Sequence, residues 1–129
     1  MEARFADCAN KESIQTLSID GLDIKKGIAN SGGKEELYRE ILYAFYNDGL
    51  QKIDEIKECI ASGNMNDYSF YVHALKSAAA NIGAGRLAEA AKSLEAAGDS
   101  GDTNYIQTNN EGFLADLKVL LNEISRLKR

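Results

Sequence analysis

The sequence contains no proline and no tryptophan, and it has a single histidine and only two cysteines among its 129 residues. Without proline, nothing forces a helix to stop, and the abundance of Ala, Leu, Lys and Glu favours helices over a strand-and-turn architecture. An all-β sandwich is therefore disfavoured. Cys8 and Cys59 form no C-x-x-C motif, so both read as reduced thiols rather than as a disulfide or metal framework. Apolar residues never run beyond a few in succession, too short for a secretory leader or a membrane span. Basic residues are in deficit, 15 Lys and Arg against 20 Asp and Glu, for a net charge of −5. That balance supplies no sequence-independent attraction to nucleic acid or to anionic lipid. One histidine also rules out multi-His zinc sites and the paired Glu-x-x-His motifs of di-iron bundles.

What is present suits a single helical domain. Hydrophobic residues make up 44% and charged residues 27%, enough apolar surface for a core without metal or disulfide support. Residues 1–16 show no period and read as a flexible lead-in, leaving 17–129 as the folded unit. The segment from Leu22 to Ser31, with Ile24 and Ile28 one turn apart, predicts a short amphipathic helix stopped by Gly32 and Gly33. From Lys34, the positions Leu37, Tyr38, Ile41, Leu42, Phe45, Gly49, Ile53, Ile56 and Ile60 recur every three or four residues and predict one helix to Ala61. Asn47-Asp48-Gly49 marks a possible bend in it. Ala61-Ser-Gly63-Asn64 and Ala97-Gly98-Asp99-Ser-Gly101-Asp102 each place a glycine stop before an Asn or Asp N-cap. With Asn81-Ile82-Gly83 as a third stop, helices are expected over about 65–82 and 85–97. The last helix carries Ile106, Phe113, Leu117, Leu120, Ile124 and Leu127, with Asn110 as the gap in its apolar series. The expected fold is all-α: an antiparallel up-down four-helix bundle with a short extra N-terminal helix. Glu35 with Arg39, Glu89 with Lys92, and Glu123 with Arg126 read as solvated-face pairs.

Chemistry has few places to reside, and His73 is the only imidazole. A lone histidine in a helical protein is by default a structural residue, but its helical position argues otherwise. Tyr68, Tyr71, Val72, Leu75, Ala78, Ala79 and Ile82 share the apolar side, and His73 points about 160° away from Leu75. Its own face carries Phe70 one turn before, Lys76 and Ser77 one turn after, and Ala80 two turns after. Neutral imidazole is nucleophilic near its ordinary pKa of about 6.5, and an ammonium one turn away offsets the charge of an added phosphoryl group. Small side chains at Ser77 and Ala80 leave room for a partner's surface.

The run His73-Ala-Leu-Lys76-Ser77-Ala-Ala-Ala-Asn-Ile-Gly83-Ala-Gly-Arg-Leu87, followed by Leu94-Glu95, resembles the His-x-Leu-Lys-Gly core of histidine phosphotransfer (HPt) domains of multistep two-component phosphorelays. Ile24 through Tyr38 is similar to that family's lead-in, and Gly63-Asn64 and Gly101-Asp102 fall where its helix hairpins fall. The resemblance covers about residues 17–127. It implies that His73 accepts a phosphoryl group from a receiver-domain aspartate through Nε2 and passes it to another receiver, without autonomous catalysis. Lys76 is then the phosphate neighbour, together with Ser77, which stands where the family usually has glycine and adds a hydroxyl to the approach path. Gly83 matches the family's helix-ending glycine, Phe70 and Ala80 are expected to dock the partner, and Arg86 is given no role. An orienting hydrogen bond is expected on the other ring nitrogen, from a partner the sequence does not name. The partners implied are response-regulator receiver domains or a hybrid sensor kinase, and Mg²⁺ is expected on the receiver rather than here. The chain itself is expected to need no cofactor or metal, and to be monomeric and cytoplasmic, either free or as the cytoplasmic part of a membrane-bound sensor kinase.

Two other readings share these residues. A docking module would use the face around Phe70 and leave His73 incidental, whereas the phosphoacceptor domain of a chemotaxis-type kinase shares the bundle and a His-x-x-Lys core. Gly83-x-Gly85-x-x-Ala88 formally fits a dinucleotide fingerprint, but that loop must follow a strand, and His73 to Ile82 has helical period. A serine hydrolase has no G-x-S-x-G elbow to build on.

Overall fold

Left-handed glycines divide the chain into helices. Gly63, Gly83 and Gly101 hold φ of 75°, 93° and 78°, a conformation that a Cβ disfavours, and each ends a helix by returning its N–H to that helix's last turn. After two of these stops Asn64 and Asp102 restart the chain, their side-chain oxygens accepting the N–H of Asp67 and Tyr105 at 3.1 Å. The computed structural model describes residues 18–127. The lead-in over 1–16 and Cys8 lie outside the described residues. Among the described residues five helices follow in order: α1 (Ile24–Asn30), α2 (Glu35–Ser62), α3 (Met65–Ile82), α4 (Gly85–Ser100) and α5 (Thr103–Arg126). Among the described residues there is no strand, only an isolated bridge between Ile19 and Leu22.

The four long helices pack in a ring, α2 on α3, α3 on α4, α4 on α5 and α5 back on α2, with α3 against α4 the most extensive pair. Two-residue connections after α2, α3 and α4 reverse the chain each time, giving the expected all-α bundle with a short N-terminal helix. Tyr38, Leu42, Ile56, Leu75, Leu94, Ile106, Leu117, Leu121 and Ile124 are fully buried in its core. Cys59 is also buried, and burial raises its thiol pKa, which keeps it protonated and unreactive.

Several local expectations change. Leu37 is 42% exposed, because Tyr38 takes the inward position and Leu37 sits at the edge of the stripe. Asn47-Asp48-Gly49 does not interrupt α2, where Gly49 instead gives Leu121 of α5 room to pack against the backbone. α4 runs three residues past Ala97, because Gly98 stays helical against Ser69 and Gly101 takes the left-handed turn. Asn110 is buried within the apolar series and its Oδ1 accepts the Tyr68 hydroxyl at 2.9 Å, which gives the buried phenol its partner inside the core. Glu35–Arg39 and Glu123–Arg126 approach to 3.8 Å, while no ion pair joins Glu89 to Lys92.

α1 closes the end of the bundle where α3 stops. The last carbonyls of a helix lack partners within it, and those of α3 find them here. Tyr38 donates its hydroxyl to Ile82 O at 2.7 Å, Asn30 donates to Asn81 O at 3.2 Å, and the Asp23 N–H bonds Gly83 O at 2.8 Å. Gly27 permits this approach, since a Cβ there would collide with the Tyr38 ring and the Ile82 carbonyl. Tyr38 is accordingly buried, and burial, with Asp23 nearby, pushes its phenol pKa upward. Gly27→Ala is expected to lower stability by about 1–3 kcal/mol through overpacking. Tyr38→Phe is expected to cost about 1–3 kcal/mol by leaving the Ile82 carbonyl unpaired. Urea unfolding followed by circular dichroism measures both losses.

Candidate functional site

α3 carries its apolar residues on one side, burying Tyr68, Val72, Leu75, Ala79 and Ile82, and this turns His73 outward. The His73 side chain is 55% exposed. Its ring is nonetheless held. Nδ1 lies 2.7 Å from Oε2 of Glu95 on α4, and because an ionised carboxylate only accepts, Nδ1 carries the proton. Nε2 is therefore the nitrogen with the free lone pair, and it has no partner among the described residues.

The second oxygen of the same carboxylate, Oε1, receives Lys76 Nζ at 2.8 Å. One residue of α4 thus ties together two residues of α3 that lie one turn apart. Glu95 is mostly covered, and its carboxyl is held below its ordinary value of 4.5: the Lys76 hydrogen bond lowers it, burial opposes, and the His73 contact adds to the lowering.

Sequence reasoning named no role for Glu95. Its signal lay in the hairpin: His73 is ten residues before Gly83 and Glu95 twelve after it, so an antiparallel pair pivoting there sets them at nearly the same level. Converting that into a contact requires the rotation of α4, which only packing fixes.

The remaining candidates fall into two groups. Ser77 and Ala80 are exposed along α3 on the His73 face. Phe70 is 68% exposed, its ring edge against Tyr71 with centroids 5.7 Å apart. Tyr71 in turn lies under Lys52, which is bound to Asp48. Gly83 ends α3 as expected, with a Cβ excluded by the Asp23 carbonyl as well as by its φ. Arg86 belongs elsewhere: its Nη2 reaches Asp20 Oδ2 at 3.0 Å and covers Gly21.

The His73 face is an open surface, whereas a cleft of about 520 Å³ lies between α2 and α5 and is lined by residues such as Ile53, Lys57, Leu114 and Lys118. Among the described residues no group of three or more His, Cys, Asp or Glu side chains is placed to hold a metal ion. No described helix is long and apolar enough to cross a membrane.

An outward imidazole with one nitrogen anchored, beside a lysine on one helix of a four-helix bundle, is the setting in which comparison with protein families finds an Hpt domain over residues 40–129, more than half of the chain. The chain belongs to the Hpt-domain family. Comparison with curated proteins and with solved structures returns no match. The family match runs from the second turn of α2 through α5 and leaves α1 outside. As an Hpt domain, the protein takes part in histidine phosphotransfer within a phosphorelay, is a phosphocarrier rather than an autonomous catalyst, and has receiver domains as its class of partner.

The bridging carboxylate can be observed directly. Because its pKa is depressed in the fold, the Glu95 bridge is present above the ordinary carboxylate range and is lost only as pH falls through the lowered value. An NMR titration of the Glu95 carboxyl carbon is expected to show a midpoint below 4.5 in the wild type. In Lys76→Ala the midpoint is expected to move upward, since Lys76 is the largest cause of the depression.

Proposed function

We propose that His73 is the phosphoacceptor of this Hpt domain, taking a phosphoryl group from the aspartyl phosphate of one receiver and passing it to the aspartate of another. The observation that carries this reading is the Nδ1 contact with Glu95, which leaves Nε2 as the nucleophile on an exposed face. In the forward step the Nε2 lone pair forms a P–N bond as the P–O bond to the receiver's aspartate breaks, the electron pair leaving with that carboxylate. The ring becomes cationic as the bond forms. Glu95, already bonded to Nδ1–H, stabilises that charge without rearrangement. Passing the group on reverses the same events at a second aspartate.

Lys76 contributes positive charge beside the incoming phosphoryl group, and Ser77 stands next to it. Phe70 and Ala80 supply the docking surface, an exposed aromatic and a small residue at either end of the His73 face. Mg²⁺ is contributed by the receiver's acidic cluster. In this reading residues 17–129 act as one monomeric domain in the cytoplasm, free or as part of a hybrid sensor kinase.

The test is incubation with a phosphorylated receiver followed by intact and fragment mass spectrometry. An acid-labile phosphate is expected on His73 in the wild type and none in His73→Gln. No transfer from a panel of receivers to the folded wild type would leave a docking module in its place. Glu95→Gln is expected to slow acceptance about ten- to a hundredfold, the kinetic equivalent of losing a charge-assisted bond of about 1.5–3 kcal/mol in the transition state. Phe70→Ala is expected to weaken transfer from a receiver while leaving the fold intact, because its side chain is mostly in solvent.

A further inference from the structure

The two donors beside His73 are in different states. Lys76, the charged one, is already engaged by Glu95 at 2.8 Å. Ser77 lies four residues after His73, on the neighbouring turn of the same face, about 5–6 Å away between Cβ atoms. Like every helical side chain it leans toward the helix N-terminus, the direction in which His73 lies. Serines in helices commonly turn the hydroxyl onto a backbone carbonyl one turn earlier. Ser31, Ser62, Ser100 and Ser125 do so here, bonding Gly27 O, Cys59 O, Ala97 O and Asn122 O. Those four stand at helix C-termini, whereas Ser77, like Ser69 and Ser93 within α3 and α4, does not: it is exposed and has no hydrogen-bond partner among the described residues. Ala80, one turn further on, leaves the space beyond it open.

Building on the reading of His73 as the acceptor, we infer that the Ser77 hydroxyl donates a hydrogen bond to the phosphoryl group on Nε2 and lengthens the lifetime of the phosphohistidine. A phosphoryl group presents three strong acceptor oxygens, and the uncommitted hydroxyl reaches one of them without breaking an existing bond. The direction of the effect follows from the loose transition state of phosphoryl loss. As the P–N bond opens toward a metaphosphate-like species, the phosphoryl oxygens carry less negative charge than in the bound dianion. A neutral donor on those oxygens therefore stabilises the phosphorylated ground state more than the transition state. Hydrolysis, in which water takes the phosphoryl group and the imidazole recovers its lone pair, is slowed. The position that admits the partner thus also sets how long the signal persists.

The experiment loads the protein with phosphoramidate, a small donor whose P–N bond breaks with loss of ammonia, so that receiver fit does not enter. Decay of the phosphohistidine is then followed by phosphorus NMR at neutral to mildly alkaline pH. Wild type, Ser77→Ala, Ser77→Gly and Ser77→Thr are compared, with His73→Gln as the unloaded control and circular dichroism confirming the fold. Ser77→Ala and Ser77→Gly are expected to decay about two- to tenfold faster, the range corresponding to one ordinary hydrogen bond. Ser77→Thr, which keeps the hydroxyl and adds bulk, is expected to decay at nearly the wild-type rate. Equal lifetimes in all four loaded proteins, or a longer lifetime in Ser77→Ala, overturn the Ser77 inference alone. A folded wild type that takes no phosphoryl group on His73, from phosphoramidate or from receivers, overturns the acceptor reading and the Ser77 inference with it.

Discussion

The close approach of α3 and α4 is the constraint on which the site depends. They form the most extensive helix pair of the bundle, Gly98 lies so near Ser69 that a Cβ would collide, and Ala79, Ala91 and Ala97 of the same two helices are buried. Helices that approach this closely cannot rotate or slide without clashing, because packed interiors leave few voids to absorb the movement. With Gly83 fixing the turn between them, the seam sets the register that brings Glu95 level with His73. The 2.7 Å and 2.8 Å contacts from that carboxylate follow from backbone packing. They are not chance pairings of flexible surface chains.

The far end of α3 is secured by a different device. α1 and the start of α2 bring Tyr38, Asn30 and the Asp23 backbone to the last carbonyls of α3. Ends of helices are where fraying begins, and unpaired carbonyls there carry a desolvation cost when buried. Bonding them to a separate element extends the rigid part of α3 beyond His73 on both sides. At its other end Asn64 caps the first turn. On the proposed reading of His73 as the phosphoacceptor, such a platform positions the nucleophile before the partner arrives.

The site separates holding from exposure. Glu95 is mostly covered and already engaged, Lys76 is half-covered, and His73, Phe70, Ser77 and Ala80 face solvent. The covered carboxylate holds the ring, and in the proposed reading the open residues are left for the partner and the phosphoryl group. This division suits a phosphocarrier, which supplies a prepared nucleophile and takes the rest of the chemistry from the receiver.

Much of this was legible in the sequence because it depends on local pattern. Three-and-four spacing located the four long helices, glycine followed by Asn or Asp located two of their turns, and the phase of Leu75 against His73 put the imidazole outside. These are properties of a single helix and need no knowledge of its neighbours. Exceptions came wherever a neighbour decided. Gly49 looked like a bend and Gly98 like part of a stop, and both are close-packing positions, since a missing Cβ serves a turn or a contact equally well and only the facing helix selects between them. Asn110 looked like a gap and is a buried partner of Tyr68 from another helix. By itself, then, the sequence determined the helices, their order and the outward histidine with its lysine one turn on. The tertiary structure alone decided that Glu95 anchors both, because that contact depends on the rotation and register of α4 against α3, which are set where residues far apart in sequence, such as Ser69 and Gly98, meet across the two helices.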